Sequence, residues 1–311
     1  MEKIRVGVIG VRHLGRVHAR IYKELMGAKL VGVVDSTPSS AREIGELYGV
    51  PYYTDVEKFV REQAPQAISV VVPTAAHFDV ASGLAERGIH LIVEKPVTTT
   101  VEQASRLLEI AHDKNIVLQV GHVERFNSAV RFVSQQIGDP IYIQSRRQGP
   151  FSARIADVGV VLDLMIHDID IVLSFVKSEV AAINAMGRRV RTPHEDYAVA
   201  QIAFKSGTVA DIMASRISER RLRQMDIAEN GRYFTIDFET QDVTVHCPGQ
   251  SSQGSVIEEI EHPLLRKTEP LKMELEHFIN CVRNGGTPLV GISDGKKALE
   301  VAVAILKKIG S

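Results

Sequence analysis

Residues 6–22 read VGVIGVRHLGRVHARIY and contain the pattern that decides the fold of this chain. An apolar run ends at Gly10, a short turn reaches Gly15, and a segment with helical periodicity follows. This order predicts a buried strand, a tight turn and a helix whose N-terminal N–H groups bind phosphate. Gly10 and Gly15 occupy the first and third positions of a GxGxxG pattern, and Arg12 occupies the second. The Arg12 side chain must therefore either turn aside from a bound pyrophosphate or contact it.

The same alternation of apolar runs and amphipathic segments continues to about residue 122. Strands are predicted at residues 5–9, 29–35, 67–72, 89–94 and 117–121. Helical segments separate them, which makes each connection long enough to join parallel strands. The first part of the chain is therefore predicted to be a doubly wound parallel sheet.

The pattern changes after this point, where short alternating segments follow one another with short turns. Such a pattern is typical of a mainly antiparallel sheet. Helices are predicted in this part over residues 157–175, 270–284 and 294–309. We therefore expect two domains, a nucleotide-binding domain over residues 1–122 and an α+β domain with a large open sheet over residues 123–311.

The composition and charge of the chain exclude several classes of protein. Hydrophobic residues make up 44% of the 311 residues and charged residues 24%, and the formal net charge is −1. This is the profile of a globular protein without an electrostatic basis for binding nucleic acid or an anionic membrane. Charged residues interrupt the N-terminal apolar segment, and no apolar run reaches ~18 residues, so we expect a cytoplasmic protein. Cys247 and Cys281 are expected to be reduced thiols.

A carboxylate ends the second predicted strand. Asp35 lies 20 residues after Gly15, the separation at which dinucleotide-binding folds place an acidic residue on the adenosine ribose. The same charge repels a 2′-phosphate, and no arginine immediately follows it, so the sequence favours NAD over NADP. The alternative is a domain of the same fold that has lost its cofactor site.

A lysine follows the strand predicted at residues 89–94. Ligands of such sheets bind beyond the carboxyl ends of the strands, and Lys95 lies at that end. From its position alone, Lys95 is either a functional cation or an ordinary solvated lysine. Pro73, Thr74 and His77 follow the preceding strand, and we expect them to line the dinucleotide cleft.

A second group of polar residues lies in the helix predicted at residues 157–175. Asp163, His167 and Asp170 are spaced i, i+4 and i+7, so they share one face of a helix that is otherwise apolar. Three buried polar groups need partners, which are one another, another polar group or a substrate. A metal ion is a further alternative, since histidine and carboxylates at this spacing can chelate one. A metal site would need a further ligand that the sequence does not place. A hydrogen-bonded core histidine is the remaining alternative to a substrate site.

Three stretches together resemble the Gfo/Idh/MocA family of oxidoreductases, namely EKP at 94–96, VGHVERFN at 120–127 and the D-x-x-x-H-x-x-D pattern at 163–170. The resemblance covers essentially the whole chain. It implies an α/β protein with an N-terminal Rossmann domain for NAD and a C-terminal α+β domain, whose open sheet binds substrate and pairs subunits into a homo-oligomer. It also implies that the last helix, about 294–309, packs back on the Rossmann domain. The chain departs from the family pattern at Arg12 and at Ser128, where proline is usual.

The resemblance also implies a catalytic group formed by Lys95, Asp163 and His167. We expect His167 to act as the general base, because imidazole accepts a proton near neutral pH. Lys95 orients the hydroxyl and stabilises the charge that develops on its oxygen, and Asp163 fixes and polarises the pair. The residues expected around the cofactor are Gly10, Arg12, His13, Leu14, Gly15, Asp35, Pro73, Thr74, His77, Glu94, Lys95 and His122. No metal ion is expected.

The stretches GHVERFN, RRQGPF and DVGVVLDLMIHDIDI are most similar to a bacterial branch of the family that oxidises the 3-hydroxyl of nucleotide-activated N-acetylhexosamines, such as UDP-N-acetylglucosamine. A diphosphate needs cations, and Arg146 and Arg154 are the expected substrate ligands beside Lys95, Asp163 and His167. Further candidates, each of them alternatively a surface residue or a subunit contact, are Arg147, Arg216, Arg220 and Arg221. Two other functions stay open, which are sugar conversion or hydrolysis with retained NAD, and non-catalytic sensing of NAD or sugar.

Overall fold

The computed structural model describes residues 2–152, 158–250 and 256–310. The chain forms two compact units, each built from two segments. The first unit consists of Met1–Val123 and Leu271–Lys296, and the second of Glu124–Pro270 and Lys297–Ser311. Within the described residues, no helix is long and apolar enough to cross a membrane.

The first unit contains a parallel sheet of six strands, which are β1 Ile4–Ile9, β2 Ala28–Val34, β3 Tyr52–Tyr53, β4 Ala67–Val70, β5 His90–Glu94 and β6 Leu118–Gly121. Their order across the sheet is β3-β2-β1-β4-β5-β6. The helices that accompany them are α1 His13–Glu24, α2 Pro38–Tyr48, α3 Val56–Gln63, α4 His77–Ala85 and α5 Val101–Asp113. The strand order reverses between β1 and β4, and at such a point a ligand crevice opens beyond the carboxyl ends of the strands. The predicted doubly wound fold is confirmed.

The second unit contains a sheet of eight strands, which are β7 Tyr142–Gln148, β8 Val180–Arg188, β9 Tyr197–Phe204, β10 Val209–Ser215, β11 Leu222–Glu229, β12 Arg232–Asp237, β13 Asp242–Gln250 and β14 Val256–Glu261. Their order is β14-β13-β12-β11-β7-β10-β9-β8, and all neighbours are antiparallel except the parallel pair β7 and β10. Helix α6, Ser128–Ser134, precedes the sheet. A π turn at Val161–Met165 continues into helix α7, Ile166–Phe175. The predicted mainly antiparallel sheet is confirmed, and Asp157, the predicted start of the helix, lies outside the described residues.

Alternation along β7 separates its side chains between two faces of the second sheet. Ser145 and Arg147 are buried, whereas Gln144 and Arg146 remain partly exposed. The buried face packs against apolar side chains of α7 in the core of this unit. We call the partly exposed face the outer face, and it follows that Arg146 and Arg147 lie on opposite sides of the sheet.

Helix α8, Pro270–Asn284, supplies part of the core of the first unit. Its residues Leu271, Leu275 and Phe278 are spaced i, i+4 and i+7 and pack with apolar side chains of α1 and β1. In helix α9, Ile292–Ile309, only the first turn belongs to the first unit. The α9 residues in the core of the second unit are Ala298, Val301, Ala302 and Ile305. The C-terminal segment that belongs to the first unit is therefore mainly α8, because its apolar stripe packs there. The packing of the last helix on the Rossmann domain stays a prediction.

Candidate active site

Two glycines shape the turn between β1 and α1. Gly10 has a φ of +84°, and a Cβ atom at this position would lie 2.4 Å from the carbonyl oxygen of Val71. A Cβ atom at Gly15 would lie 1.7 Å from the carbonyl oxygen of Gly10. Both distances are far below van der Waals contact, so the turn requires glycine at both positions.

Arg12 directly precedes α1 and has a φ of −75°, which residues with a side chain adopt without strain. Its side chain is exposed, so the replacement of glycine by arginine does not block the turn. The Arg12 side chain makes no capping hydrogen bond to α1, and the first turn of the helix contains no acidic residue. The N–H groups and the positive dipole end of α1 therefore suit a pyrophosphate.

A cleft of about 520 Å³ opens at this end of the sheet, beside β1, β2 and β4. It brings together seven of the predicted cofactor residues, which are Gly10, Arg12, His13, Leu14, Gly15, Asp35 and Pro73. Val34, Val72 and Ala76 add apolar surface to its walls. A glycine-rich turn, a helix N-terminus and a carboxylate around an apolar cleft are the elements that hold a dinucleotide. The residues present therefore fit a nicotinamide dinucleotide.

The Asp35 carboxylate also holds the glycine-rich turn in place. Its Oδ2 atom accepts a hydrogen bond from the Val11 N–H at 2.9 Å, and its Oδ1 atom accepts one from the Thr37 N–H at 2.9 Å. The residue is only 4% exposed, so most of the carboxylate faces protein. Sequence analysis missed this second role, because the contact between residues 11 and 35 depends on how β1 and β2 pair.

The other predicted residues of the first unit lie near the ends of β4, β5 and β6. Lys95 directly follows β5 and is half-buried. Glu94 and His122, at the ends of β5 and β6, are buried. Thr74 begins a short helical turn before α4. Glu94 and His122 therefore lie in the interior of the first unit.

His77 contacts the backbone of two strand ends. It is 1% exposed. Its Nδ1 atom lies 2.9 Å from the carbonyl oxygen of Pro96, and its Nε2 atom lies 2.8 Å from that of Val72. Burial lowers the pKa of His77, although the two carbonyl groups oppose this effect. The residue that we expected to line the cleft thus joins two segments of the backbone.

In the second unit, Asp163 lies in the π turn and His167 in the first turn of α7. Both side chains are half-buried. Such π turns are uncommon in proteins, and those that occur often lie at functional sites. Asp170, the third residue of the predicted stripe, is buried, and its Oδ1 atom lies 3.4 Å from Nη1 of Arg125. Asp170 is therefore a partner of Arg125.

Arg147 belongs to a buried cluster of charges that sequence analysis did not identify. Its Nε and Nη2 atoms donate to the two carboxylate oxygens of Asp168 at 2.8 Å and 2.9 Å, and its Nη1 atom donates to Glu124 at 2.8 Å. Burial opposes the charge on Arg147, but the two carboxylates outweigh it and raise the pKa of Arg147. Asp168 was missed because it lies off the helix face that carries His167. Arg147 therefore stabilises the fold, and its guanidinium group is not available to bind a diphosphate.

Glu195 fixes the start of the helix that carries Asp163. Its carbonyl oxygen accepts a hydrogen bond from the Val160 N–H at 2.9 Å, and its carboxylate accepts one from the Val161 N–H at 3.1 Å. A Cβ atom at Gly159 would lie 1.8 Å from that carboxylate, so the contact requires glycine there. A carboxylate at this position also complements the helix dipole.

The neighbouring Asp196 is buried and pairs with Arg216 at 2.8 Å. Burial opposes the charge on Asp196, but hydrogen bonds from the backbone N–H groups of residues 190–192 outweigh it and hold the pKa of Asp196 well below its usual range. Arg216 also donates to the carbonyl oxygen of Val158 at 2.6 Å. Arg216, a candidate for diphosphate binding, therefore connects two loops at the start of the helix.

The remaining candidate arginines differ in their surroundings. Arg146 lies on the outer face, 3.4 Å from Asp226. Arg221 is exposed and pairs with a glutamate, and Arg220 is exposed. Arg154 lies outside the described residues. In the part of the chain that the structure describes, no three His, Cys, Asp or Glu side chains are grouped so as to hold a metal ion.

Two family models match the chain. Residues 4–122 match the model described as "Oxidoreductase family, NAD-binding Rossmann fold", and residues 126–234 match the "GFO/IDH/MocA C-terminal domain". The UDP-N-acetylglucosamine 3-dehydrogenase of Acidithiobacillus ferrooxidans is 33% identical over 284 residues, which cover 91% of this chain and 90% of that protein. A solved structure of that enzyme has a TM-score of 0.94 at 32% identity and covers 99% of this chain and 98% of its own. The scyllo-inositol 2-dehydrogenase (NAD(+)) of Bacillus subtilis is 32% identical, over 97% of this chain and 93% of that protein.

Proposed function

The chain belongs to the Gfo/Idh/MocA family of oxidoreductases, and from this premise we propose that it is an NAD-dependent dehydrogenase of a nucleotide sugar. The proposed reaction oxidises the 3-hydroxyl of UDP-N-acetylglucosamine to a ketone. The observation that carries this proposal is the likeness to UDP-N-acetylglucosamine 3-dehydrogenase, which extends over 91% of this chain. The likeness to an inositol dehydrogenase supports the broader class, a dehydrogenase of sugars or polyols.

The residues that would hold NAD line the cleft of the first unit. The N-terminus of α1 and the exposed Arg12 would bind its pyrophosphate. When bound, NAD supplies the acceptor for the hydride. Asp35 supports the choice of NAD, because a carboxylate at the end of β2 hydrogen-bonds a ribose and repels a 2′-phosphate. Its bonds to Val11 and Thr37 use one lone pair of each oxygen and leave one on each for the ribose.

His167 is the proposed general base, and it takes the proton of the substrate hydroxyl. A half-buried imidazole suits this step, because it accepts a proton near neutral pH. Lys95 is the proposed cation that stabilises the negative charge on the substrate oxygen as its proton leaves. Asp163 lies one helical turn before His167 and orients its ring.

The diphosphate of the proposed substrate requires cations. Of the arginines considered for this role, Arg147 and Arg216 form buried ion pairs. Arg146 lies on the outer face, which supports its alternative interpretation as a subunit contact. Arg154 and the exposed Arg220 are therefore the ligands that we propose for the diphosphate.

We also propose that the outer face pairs copies of this chain. Met186 is 76% exposed and Tyr233 is 39% exposed. Met186 borders a groove that is also lined by Gln144, Arg146 and Met213. Exposed apolar side chains on an open sheet are typical of contacts between subunits. Multi-angle light scattering gives the mass of the particle in solution, and a monomer at every concentration would contradict this part of the proposal.

A combined binding and turnover screen tests the proposed function. The protein is mixed with NAD or NADP together with free sugars, inositols or UDP-linked sugars, and its unfolding temperature and the absorbance of the reduced dinucleotide are measured. We expect NAD to raise the unfolding temperature more than NADP does. We expect NADH to form with UDP-N-acetylglucosamine.

The other outcomes of the screen are distinguishable. NADH formation with an inositol or a free sugar alone would reject the proposed substrate and keep the dehydrogenase. Stabilisation by NAD without net NADH, together with a changed sugar product, would indicate that NAD is retained and recycled. The absence of stabilisation by either dinucleotide would overturn the proposal.

A further inference from the structure

The two residues that flank Lys95 are each held by a buried histidine of the first unit. On one side, Nε2 of His18 lies 3.3 Å from Oε1 of Glu94, which is within ion-pair distance but does not have the geometry of a hydrogen bond. On the other side, Nδ1 of His77 lies 2.9 Å from the carbonyl oxygen of Pro96. The two histidines come from different helices, α1 and α4, and both are buried. Both neighbours of Lys95 are therefore in contact with a buried histidine.

His18 connects Glu94 to α1 and β4. Its Nδ1 atom lies 3.1 Å from Oγ of Ser69, and the same Oγ lies 2.8 Å from the hydroxyl oxygen of Tyr22. His18 and Tyr22 are four residues apart, so they share the buried face of α1. Burial raises the pKa of Tyr22, and Glu274 acts in the same direction, so this hydroxyl stays protonated. Glu94, His18, Ser69 and Tyr22 thus form a series of polar contacts that includes two residues of the helix that begins at the glycine-rich turn.

The position of the Glu94 carboxylate also depends on β6. Glu94 is paired with Gly121 in the ladder between β5 and β6. A Cβ atom at Gly121 would lie 2.7 Å from Oε1 of Glu94. Glycine at this position therefore leaves the space in which the carboxylate meets His18.

His77 lies between the segment after Lys95 and the chain after β4. Its Nε2 atom lies 2.8 Å from the carbonyl oxygen of Val72, which lines the cleft. A neutral imidazole donates one hydrogen bond and an imidazolium donates two. Protonation of His77 therefore changes how firmly Val72 and Pro96 are held together. Burial lowers the pKa of His77, and the charge of Glu94 acts in the opposite direction.

We propose that His18 and His77 are positioning residues that hold Lys95 in the geometry its reaction requires. The inference rests on the proposed catalytic role of Lys95. A cation stabilises a developing oxyanion only from about 3 Å away, and a displacement of about 1 Å lowers the rate about 100-fold. A lysine side chain is placed no better than the backbone that carries it, and both neighbours of Lys95 contact a buried histidine.

Turnover tests this inference with a matched control. The variants are His18→Gln and His77→Gln, and the control is His90→Gln. His90 lies at the other end of β5, and its Nδ1 atom accepts a hydrogen bond from the Val117 N–H at 2.9 Å. We expect kcat to fall about 100-fold in the two variants, with wild-type kcat in the control. Where His18→Gln does not fold, Glu94→Gln removes the charge from the same contact.

A second readout does not depend on turnover. The pH dependence of Lys95 acetylation by acetic anhydride, followed by peptide mapping, reports the reactivity of this amine directly. We expect the midpoint of this pH dependence or the rate of Lys95 acetylation to change in His18→Gln and His77→Gln. Both should stay unchanged in His90→Gln. Wild-type Lys95 reactivity in both variants would overturn the inference, even if turnover falls. Altered reactivity in a protein that oxidises no sugar would keep the inference and reject the proposed function.

Discussion

Arg147 and Asp168 form a bidentate ion pair inside the second unit, with N–O distances of 2.8 Å and 2.9 Å. Arg147 lies on β7, and Asp168 lies on α7 directly after His167. The pair therefore attaches the helix that carries the proposed general base to the sheet. Both side chains are almost fully buried, so the removal of one partner leaves the charge of the other poorly compensated.

We expect Asp168→Asn to lower the free energy of unfolding by about 3–5 kcal/mol. Arg146→Met is the control, because its side chain is 38% exposed on the outer face and an ion pair there contributes at most about 1 kcal/mol. Urea unfolding measures both values. The double variant Arg147→Met with Asp168→Leu is expected to recover part of the loss. Equal stability of Asp168→Asn and the control would contradict this prediction.

Turnover should depend on Lys95 and His167 far more than NAD binding does. Lys95→Met and His167→Asn are each expected to lower kcat at least about 100-fold, because one removes the stabilising cation and the other the base. Lys114→Met is the control, since Lys114 pairs with Glu86 at the surface at 3.3 Å. Steady-state kinetics and calorimetric titration with NAD separate the two effects. Wild-type kcat in either variant would remove that residue from the mechanism.

Gly15→Ala is expected to abolish NAD binding and to destabilise the first unit by about 3 kcal/mol. The added Cβ atom would lie 1.7 Å from the carbonyl oxygen of Gly10, so the turn must open. Gly83→Ala is the matched control, because nothing lies within 4 Å of a Cβ atom there. Within helix α4, this change should add up to about 1 kcal/mol of stability. NAD affinity near the wild-type value in Gly15→Ala would contradict the proposed binding of the pyrophosphate at the glycine-rich turn.

Acid is expected to destabilise the first unit below about pH 6.5. Burial lowers the pKa of His77, so the unfolded chain takes up a proton that the folded unit does not. The free energy of unfolding therefore decreases as the pH falls from the unfolded pKa towards the lower folded one, by up to about 1.4 kcal/mol per pH unit. Urea unfolding at several pH values measures the slope. His77→Asn should make it shallower, and an unchanged slope would show that His77 does not cause it.

Asp35→Asn is expected to reduce the preference for NAD over NADP, because it removes the charge that repels a 2′-phosphate. The amide keeps one acceptor, so either the Val11 N–H or the Thr37 N–H loses its partner, at a cost of about 1–3 kcal/mol. The ratio of kcat/KM for the two dinucleotides and the unfolding temperature are measured together. Reduced stability with an unchanged ratio of kcat/KM would mean that Asp35 stabilises the glycine-rich turn but does not select between NAD and NADP.

Much of the first unit could be predicted because its signals are local. The glycines at positions 10 and 15, the apolar run of each strand and the helical period after it all lie within short windows of sequence. The return of residues 271–296 to this unit could not be predicted, because the apolar stripe of α8 does not specify the surface it packs against. The same limit applies to β7. Its alternating pattern is visible in the sequence, but the pattern does not show which of its two faces is buried.

The sequence by itself determined the turn at Gly10 and Gly15, the lysine at the end of β5, and the spacing of Asp163 and His167. Each follows from the order of neighbouring residues and from the period of one strand or helix. Only the tertiary structure decided which charges are compensated, as when Arg147 pairs with Asp168. The reason is physical, since a side chain more than one helical turn away along the chain becomes a partner only when folding brings its element alongside.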